Sequence, residues 1–495
     1  MEPFILLAVV VWILHGILKS SQDENEAPTL IRGRRLLFDE ELKEESNRAV
    51  TQGETFPLGG VEHSINSLKS HALILGTTGS GKTLTMQMIA NKVLPTIEKG
   101  SDRRAFILDG KMDALGQTLS MDVHCPVILL NPLDIRACAW DMAADCNTLA
   151  TALQIGAVFI PEDNGQNRYF TDAARDLFTG NIEALMLRAP GRWTLRDLII
   201  ASRSREIMED LLSRCPTTRD RAAYFQDEKT FSSIHTTLTS RLAPFGVVAA
   251  CWDRAPYRIS LNDWARSESI LIYGSDETTR FAMDAILRVV YQRKSEILLG
   301  QTESATRLSV DFLDEVREAG KLTGLSRLLT KGRSKGAAVL LGMQDIDGFS
   351  SVHGTRVANE ILGQCSLKVF LRLENERIAE WCSKLFGDQE WEEKRFSTTD
   401  SSSGKSKTWH RERVVRRLVI ASQFLNLPFT NPRNGLTGYY LSPFVGAYLV
   451  KQTSQEIDSR SPQTPSSTPT FLPRPSHHQI LRPWTDDDRR RLNLL

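Results

Sequence analysis

The residues whose types and spacing could do chemistry lie in one short stretch near position 80. Gly76, Gly81, Lys82 and Thr83 satisfy the spacing G-x-x-x-x-G-K-[ST], between an apolar run and a helical pattern. In such a loop, backbone N–H groups surround phosphate oxygens, a lysine balances their charge and a hydroxyl ligates Mg²⁺. The stretch therefore predicts a P-loop with ATP and Mg²⁺ as cofactors, in which the nucleotide is bound by Gly76, Thr77, Thr78, Gly79, Ser80, Gly81, Lys82 and Thr83.

Two adjacent acidic residues follow the apolar run Leu308–Leu313. Asp314 and Glu315 form the arrangement of a Walker B motif, in which an aspartate at a strand end holds Mg²⁺ and a second carboxylate deprotonates the attacking water. We therefore predict Thr83 and Asp314 as metal ligands and Glu315 as the general base. Asp311 lies an odd number of residues before Asp314, so we expect it on the opposite face, as a surface-facing edge residue.

Two more polar residues flank the apolar run Ala337–Leu341. Gln344 follows it, and because ligands bind at the carboxyl ends of parallel strands, this amide is predicted to sense the γ-phosphate. Arg333 precedes the run, on a turn from helix to strand. It is either a solvated surface residue or a group that reaches the nucleotide of a neighbouring subunit.

The elements that must position these residues follow from hydrophobic periodicity. Short apolar runs alternate with helical patterns, which predicts an α/β fold with a parallel sheet covered on both faces. From about Cys146 to Leu261 the helical pattern takes over, which predicts an all-α insertion within this core. The predicted strands are Ala72–Leu75, Ala105–Leu108, Val127–Leu130, Ser269–Tyr273, Leu308–Leu313, Ala337–Leu341 and Leu367–Leu373.

The composition limits the classes of fold and partner. A chain of 495 residues with 41% hydrophobic content can bury a large core, and a net charge of +1 means that any nucleic-acid contact must come from a local basic surface. Between Arg188 and Arg221 there are eight arginines, but acidic residues interleave with them. We expect a solvated helix surface there, with a nucleic-acid face as the alternative. The seven cysteines show no metal-binding spacing, so we expect them to be reduced and mostly buried.

An apolar segment near the start of the chain, Phe4–Leu18, contains no charged residue. Its 15 residues are fewer than the roughly 20 that cross a bilayer, so a cleaved signal peptide and a buried helix are alternatives. No basic residue precedes it and no small-x-small cleavage site follows it, which favours an uncleaved anchor. The basic residues after it predict that the bulk of the chain is cytoplasmic.

The C-terminal part has the composition of a flexible tail. Residues 452–484 contain six prolines among serines and threonines and show no apolar periodicity, so we expect disorder. The last segment, Thr485–Leu495, combines a helix-cap residue with acids and then bases, the order that a helix dipole favours. We expect a solvated end, with a short docking helix for a partner as the alternative.

Taken together, these motifs resemble those of the type IV coupling proteins of bacterial conjugation, a family of TraD- and TrwB-like P-loop ATPases. The similarity extends over roughly residues 30–450. The family usually has two membrane helices, whereas this chain offers one short apolar run. The blocks that carry the resemblance are Gly76–Thr83, Asn131-Pro132 with Trp140, the helical insertion, Asp314-Glu315, Thr330–Arg333, Gly342–Gln344 and Ala379–Gly387.

The resemblance implies a RecA-like P-loop NTPase core, an inserted all-α domain and an N-terminal transmembrane helix. It implies a hexameric ATPase, held in the bacterial inner membrane by a single pass, that pumps DNA or a relaxase–DNA complex to a type IV secretion channel during conjugation. The implied partners are DNA bound without sequence preference, relaxase or relaxosome proteins, channel proteins and further copies of the chain. Because coupling proteins carry an arginine in the matching turn, Arg333 is expected to act on the neighbouring subunit's ATP. The expected catalytic residues are Glu315, Lys82, Gln344 and Arg333.

Two other functions remain open from the sequence alone. One is a DNA translocase of the FtsK/HerA kind, and the other is a recruitment platform for secreted proteins that uses the nucleotide as an assembly switch. The expected domains are a membrane anchor (1–20), a connector (21–68), a nucleotide-binding domain in two parts (69–147 and 262–450), an all-α insertion (148–261) and a disordered tail (451–495).

Overall fold

The fold is organised around a mixed sheet of ten strands. The structure, a computed structural model, describes residues 27–50, 53–163, 165, 167–274, 276–401, 404–460 and 468–494. The strands are β1 (Thr29–Arg32), β2 (Leu36–Leu37), β3 (Thr55–Leu58), β4 (Val61–Ser64), β5 (Ala72–Leu75), β6 (Arg103–Asp109), β7 (Val127–Leu130), β8 (Ala139–Trp140), β9 (Arg258–Ile259), β10 (Ile270–Gly274), β11 (Leu308–Leu313), β12 (Ala337–Met343), β13 (Leu367–Phe370), β14 (Asp388–Ser401), β15 (Gly404–Arg417), β16 (Leu436–Ser442) and β17 (Gly446–Gln452).

The α-helices connect these strands and form most of the segment between β8 and β9. They are α1 (Asp39–Ala49), α2 (Lys82–Val93), α3 (Ala114–Ser120), α4 (Met142–Asp145), α5 (Leu149–Phe159), α6 (Arg168–Arg188), α7 (Leu195–Arg203), α8 (Arg205–Ser213), α9 (Glu228–Leu242), α10 (Phe245–Asp253), α11 (Leu261–Trp264), α12 (Arg280–Gly300), α13 (Leu325–Lys331), α14 (Ile346–His353), α15 (Thr355–Gln364), α16 (Glu376–Phe386), α17 (Ala421–Leu425), α18 (Ser454–Arg460) and α19 (Asp486–Arg491).

The order of strands in the large sheet is β2-β17-β16-β13-β5-β12-β11-β6-β10-β7. The seven strands from β13 to β7 run parallel, whereas β16 is antiparallel to both β13 and β17. The predicted α/β core is therefore confirmed, with an antiparallel extension that the sequence did not indicate. Each predicted strand is present, and β5, β7 and β11 have the predicted bounds. The strand predicted to reach Leu373 ends at Phe370, because the chain turns towards the P-loop, where Arg372 O accepts the N–H of Thr77 (2.8 Å).

The P-loop strand β5 is buried on both faces. Leu73 and Leu75 pack into one hydrophobic cluster, while Ala72 and Ile74 pack into the other. This alternation places helices on both sides of the sheet, and it explains why a fully buried parallel strand appears in the sequence as an uninterrupted apolar run.

The helical insertion enters and leaves the core at one place. The short strands β8 and β9 pair in parallel there, at the start and the end of the insertion. The buried carboxylate of Asp145 accepts hydrogen bonds from the Trp140 indole and from the Leu261 N–H, both at 2.7 Å. One side chain therefore joins the incoming segment to the outgoing one.

Several arginines of the insertion pair with carboxylates of the same chain. Arg214 pairs with Asp210 (2.5 Å) and Arg221 with Asp176 (2.9 Å). The expected solvated position was wrong for Arg196, whose side chain is buried and contacts Asp253 and Asp488. A buried guanidinium needs partners that compensate for its lost hydration, and the C-terminal segment supplies Asp488, one of the two carboxylates that bind Arg196.

The prediction of a disordered C-terminal tail was wrong for the residues that the structure describes. Ser454–Arg460 is a helix, residues 469–474 lie against the loop after β7, and residues 478–493 lie along the helical insertion. Arg474 is buried and donates to the backbone carbonyls of Pro132 (2.9 Å) and Asp134 (3.0 Å). Such packing uses arginine bonds to backbone carbonyls and needs no hydrophobic periodicity, so the pattern did not indicate it.

The final segment is neither a solvated end nor a helix free to bind a partner. Trp484 and Arg491 both donate to the Asp197 carboxylate, at 2.8 Å each, and Leu492 is fully buried. Within α19, Asp488 and Arg491 therefore pair with Arg196 and Asp197 of the helical insertion.

The expected surface position of Asp311 was also wrong. It faces away from the Walker B end of β11, as predicted, but it is buried against α12. There it pairs with the buried ammonium of Lys294 and accepts a hydrogen bond from Tyr291 (2.7 Å). Burial lowers the pKa of Lys294, and the adjacent Asp311 carboxylate counteracts this shift.

Two further expectations concern cysteines and the membrane. All seven cysteines are free and all but Cys125 are buried, which confirms the prediction. The predicted anchor, Phe4–Leu18, lies outside the described residues. None of the helices in the described part of the chain combines the length and apolar character of a membrane span.

Candidate functional site

The P-loop connects the end of β5 to the start of α2, and three of its positions require glycine. Gly79 and Gly81 have φ values of 74° and 101°, in the left-handed region. A Cβ on Gly76 would lie 2.4 Å from Ser80 Oγ. Helix α2 begins directly after Gly81, so its unpaired N–H groups face the loop and favour an anion there.

The Lys82 side chain lies inside this loop. Its ammonium donates to the Thr77 carbonyl (3.1 Å), and the residue is buried. Burial lowers the pKa of Lys82, the carboxylates of Asp314 and Glu315 raise it, and the ammonium of Lys111 lowers it further. A poorly hydrated ammonium held among backbone groups is suited to bind phosphate oxygens.

The predicted metal ligands meet where α2 begins and β11 ends. Thr83 Oγ1 lies 2.7 Å from Asp314 Oδ2. Both donors are hard oxygens, which fits Mg²⁺. Lys111 Nζ lies 3.2 Å from the same hydroxyl, and these groups border a solvent-open pocket of about 690 Å³. The sequence did not indicate Lys111, although it follows a predicted strand that ends in Asp109.

Glu315 and Gln344 are in direct contact. Gln344 Nε2 donates to Glu315 Oε1, and Thr78 Oγ1 donates to Gln344 Oε1, both at 3.1 Å. Glu315 has a φ of 49°, which is rare for a residue with a side chain, and its N–H donates to Asp314 Oδ1 (3.0 Å). The carboxylate, the amide and the P-loop hydroxyl therefore form one chain of hydrogen bonds.

The close approach of these groups depends on Gly342 in the strand β12. A Cβ at this position would lie 2.5 Å from Asp314 Oδ1 and 2.8 Å from Met86 Cε. The space next to the Asp314 carboxylate is therefore available only because residue 342 has no side chain.

Arg333 is the one predicted site residue that the fold places elsewhere. It lies in a 3₁₀-helix before β12, whereas Gln344 lies at the other end of this strand. The seven residues of β12 span about 20 Å, so Arg333 is remote from its own P-loop. Its side chain is exposed and makes no hydrogen bond or ion pair to another described residue.

A segment far along the chain also contacts the P-loop, and the sequence did not indicate this. Thr430 donates its N–H to Gly79 O (3.1 Å) and its hydroxyl to Ser80 O (2.7 Å). The preceding Phe429 has its ring beside Gly79. The only local signal is the composition of residues 431–435, which predicts a turn but does not indicate that this turn contacts the P-loop.

Comparisons with known proteins agree with this architecture. Residues 55–440 match the model of the family described as "Type IV secretion-system coupling protein DNA-binding domain". The chain is 24% identical over 480 residues to "Coupling protein TraD" of Escherichia coli (strain K12). That similarity covers 94% of this chain, which spans 62% of the length of the curated relative.

Solved structures share the fold. The unbound monoclinic form of the bacterial conjugative coupling protein TrwBdeltaN70 has a TM-score of 0.68 and 20% identity, and the match covers 90% of this chain and 97% of that chain. The plasmid coupling protein TrwB in complex with ADP and Mg²⁺ has a TM-score of 0.67 and 19% identity, with coverages of 91% and 99%.

Replacing Gly342 by alanine is expected to weaken Mg²⁺-dependent nucleotide binding by about 10–100-fold, the usual effect of disturbing a group that orients a metal ligand. The added Cβ would force the Asp314 carboxylate away from Thr83. Isothermal titration calorimetry with ADP, in Mg²⁺ and again in EDTA, measures the change.

The matched control is Gly363→Ala on the exposed face of α15, where nothing lies within 4 Å of the added Cβ. It should bind ADP as the unaltered chain does. If Gly342→Ala retained the full effect of Mg²⁺ on affinity, Asp314 would not be positioned as we describe.

Proposed function

The chain belongs to the type IV secretion-system coupling protein family, and we propose that it is an ATPase that moves DNA, or a relaxase–DNA complex, to a type IV secretion channel during conjugation. In this proposal it acts as a hexamer held in the bacterial inner membrane by Phe4–Leu18, with the bulk of the chain in the cytoplasm. The family match supports the coupling function over a translocase of the FtsK/HerA kind.

The observation that carries the proposal is the contact between Glu315 and Gln344 beside the P-loop. A nucleotide-dependent switch needs only the phosphate and metal contacts of Lys82, Thr83 and Asp314. A carboxylate held by an amide next to those groups is needed for turnover, because it must accept a proton from water. The arrangement therefore supports hydrolysis and not binding alone.

The proposed roles follow from the contacts. Glu315 accepts the proton of the attacking water, and Gln344 fixes its carboxylate while contacting the P-loop through Thr78. Lys82 adds positive charge beside the β- and γ-phosphates. Mg²⁺, held by Thr83 and Asp314 when bound, neutralises charge on the phosphate oxygens.

Each proposed partner is supported by a different observation. The description of the matched family includes DNA binding, and a net charge of +1 is compatible with a local basic lining that contacts the phosphate backbone without sequence preference. The uncharged segment Phe4–Leu18 supports a membrane anchor. Relaxase and channel proteins enter the proposal from membership of the coupling-protein family.

Glu315→Gln should bind ATP normally but release phosphate about 10²–10⁴-fold more slowly, because the base is removed while Asp314 is kept. Lys82→Ala should instead lose ATP affinity. Phosphate release by the full chain in detergent, with and without DNA, tests the proposal. The unaltered chain should be stimulated by DNA of unrelated sequences.

The conservative change Asp487→Asn, at an exposed position of α19, serves as the control and should leave phosphate release unchanged. Hydrolysis at the unaltered rate by Glu315→Gln would rule out its role as the base.

Substitution of Arg333 tests whether the chain acts as a ring of subunits. Phosphoryl transfer spreads negative charge over the γ-phosphate oxygens, and an arginine supplied by a neighbouring subunit is worth about 10³–10⁵ in rate. Arg333→Ala should therefore bind ATP and barely hydrolyse it. Mixing it with Lys82→Ala subunits should restore part of the activity, since some interfaces then join an intact P-loop to an intact arginine.

Lys331→Ala is the matched control, because this neighbouring cation lacks the bidentate geometry of a guanidinium. Mixed rings that form, as judged by co-purification of differently tagged subunits, but hydrolyse no ATP would refute the action of Arg333 across the interface.

A further inference from the structure

Phe429 is a partly exposed aromatic residue beside the phosphate-binding loop. The side chain is 43% exposed, and its Cδ1 lies 3.7 Å from the position that a Cβ on Gly79 would occupy. The next residue, Thr430, is bonded to Gly79 and Ser80. An apolar ring is therefore attached directly to the loop that binds the phosphates.

The turn after Phe429 fixes the position of the ring. The side-chain amides of Asn431 and Asn434 donate to the Phe429 carbonyl, at 3.3 and 3.1 Å. The Asn431 Oδ1 also accepts the N–H groups of Arg433 (3.0 Å) and Asn434 (2.9 Å). Because the backbone is held by the turn itself, the ring is in place before any ligand binds.

Arg372 covers the Phe429 ring with its guanidinium, 4.3 Å from the ring centroid. Its Nη1 donates to Leu427 O (2.6 Å), and its own carbonyl accepts the N–H of Thr77. The cation and the ring therefore form a stack that is linked to the P-loop from two sides.

The order of strands decides which part of a nucleotide would meet this stack. The P-loop strand β5 lies between β12 and β13. The metal-side and catalytic groups, Asp314, Glu315 and Gln344, follow β11 and β12, which lie on one side of β5. Arg372 follows β13, on the other side, and Phe429 lies against it. A triphosphate whose γ-phosphate faces Gln344 therefore directs its nucleoside away from the carboxylates and towards Phe429.

We propose that Phe429, backed by Arg372, is the platform on which the nucleobase stacks. This inference rests on the proposed nucleotide-binding function and adds the recognition of the base. Stacking on an aromatic ring is tolerant of sequence, because every base has a π-face. Asn431 directs its amide into the turn instead of towards a base edge. The site therefore accepts adenine and guanine nucleotides alike.

The test compares ligands with and without a base. The full chain in detergent is titrated in Mg²⁺ with ATP, GTP and inorganic tripolyphosphate, each competing with a fluorescent ATP analogue. Phe429→Ala should weaken ATP and GTP about tenfold, or about 1.4 kcal/mol, and leave tripolyphosphate unchanged. Phe429→Trp should retain the affinity for both nucleotides.

The matched control is Phe444→Ala. Phe444 is equally exposed (45%) but lies in the turn between β16 and β17, at the opposite end of β16 from Phe429. It should leave all three affinities unchanged, and sedimentation should give the same oligomeric state for every variant.

Three results would overturn the inference. Unchanged ATP affinity in Phe429→Ala would mean that no base stacks there, and an equal loss for tripolyphosphate would mean that the ring shapes the P-loop instead. Dissociation of the oligomer by Phe429→Ala alone would place the ring at a subunit contact. If the unaltered chain bound neither ATP nor tripolyphosphate, the proposed function itself would fail.

Discussion

The contact between Thr83 and Asp314 is the constraint on which the arrangement of the site depends. The two oxygens are 2.7 Å apart although 231 residues separate them in the chain. Thr83 lies in the first turn of α2, which the P-loop connects to β5, and Asp314 directly follows β11. The strand between β5 and β11 is β12, and it has no side chain at Gly342, next to the Asp314 carboxylate. The parallel sheet thus brings the two predicted metal ligands together, and a glycine in the middle strand leaves room for them.

The strand β11 carries charge towards both of its faces. Asp314 and Glu315 follow its end, while Asp311, three residues earlier, pairs with Lys294 of α12 inside the core. A buried pair is costly to desolvate and becomes costlier when one partner is lost, so packing of α12 against β11 keeps the two charges together.

Much of the site could be predicted because its residues follow short, uninterrupted apolar runs. The pattern of parallel strands was enough to predict the bounds of β11 and to place Gln344 near Glu315, at the carboxyl ends of neighbouring strands. The pattern failed for Asp311, since alternation along a strand identifies a face but not the helix that covers it. It also failed for Thr430, whose bond to Ser80 joins residues 350 positions apart, and for Arg474, which packs through backbone carbonyls.

The central claim is that hydrolysis drives movement along DNA, and the most direct test is displacement of a third strand. A triplex-forming oligonucleotide is annealed to duplex DNA, and its release by the full chain is followed with ATP and with a non-hydrolysable ATP analogue. If hydrolysis drives movement along DNA, the oligonucleotide is released with ATP, after a delay that grows with the distance between the free DNA end and the triplex, and is not released with the analogue. DNA-stimulated phosphate release without displacement would contradict it and would favour a nucleotide-gated recruitment platform.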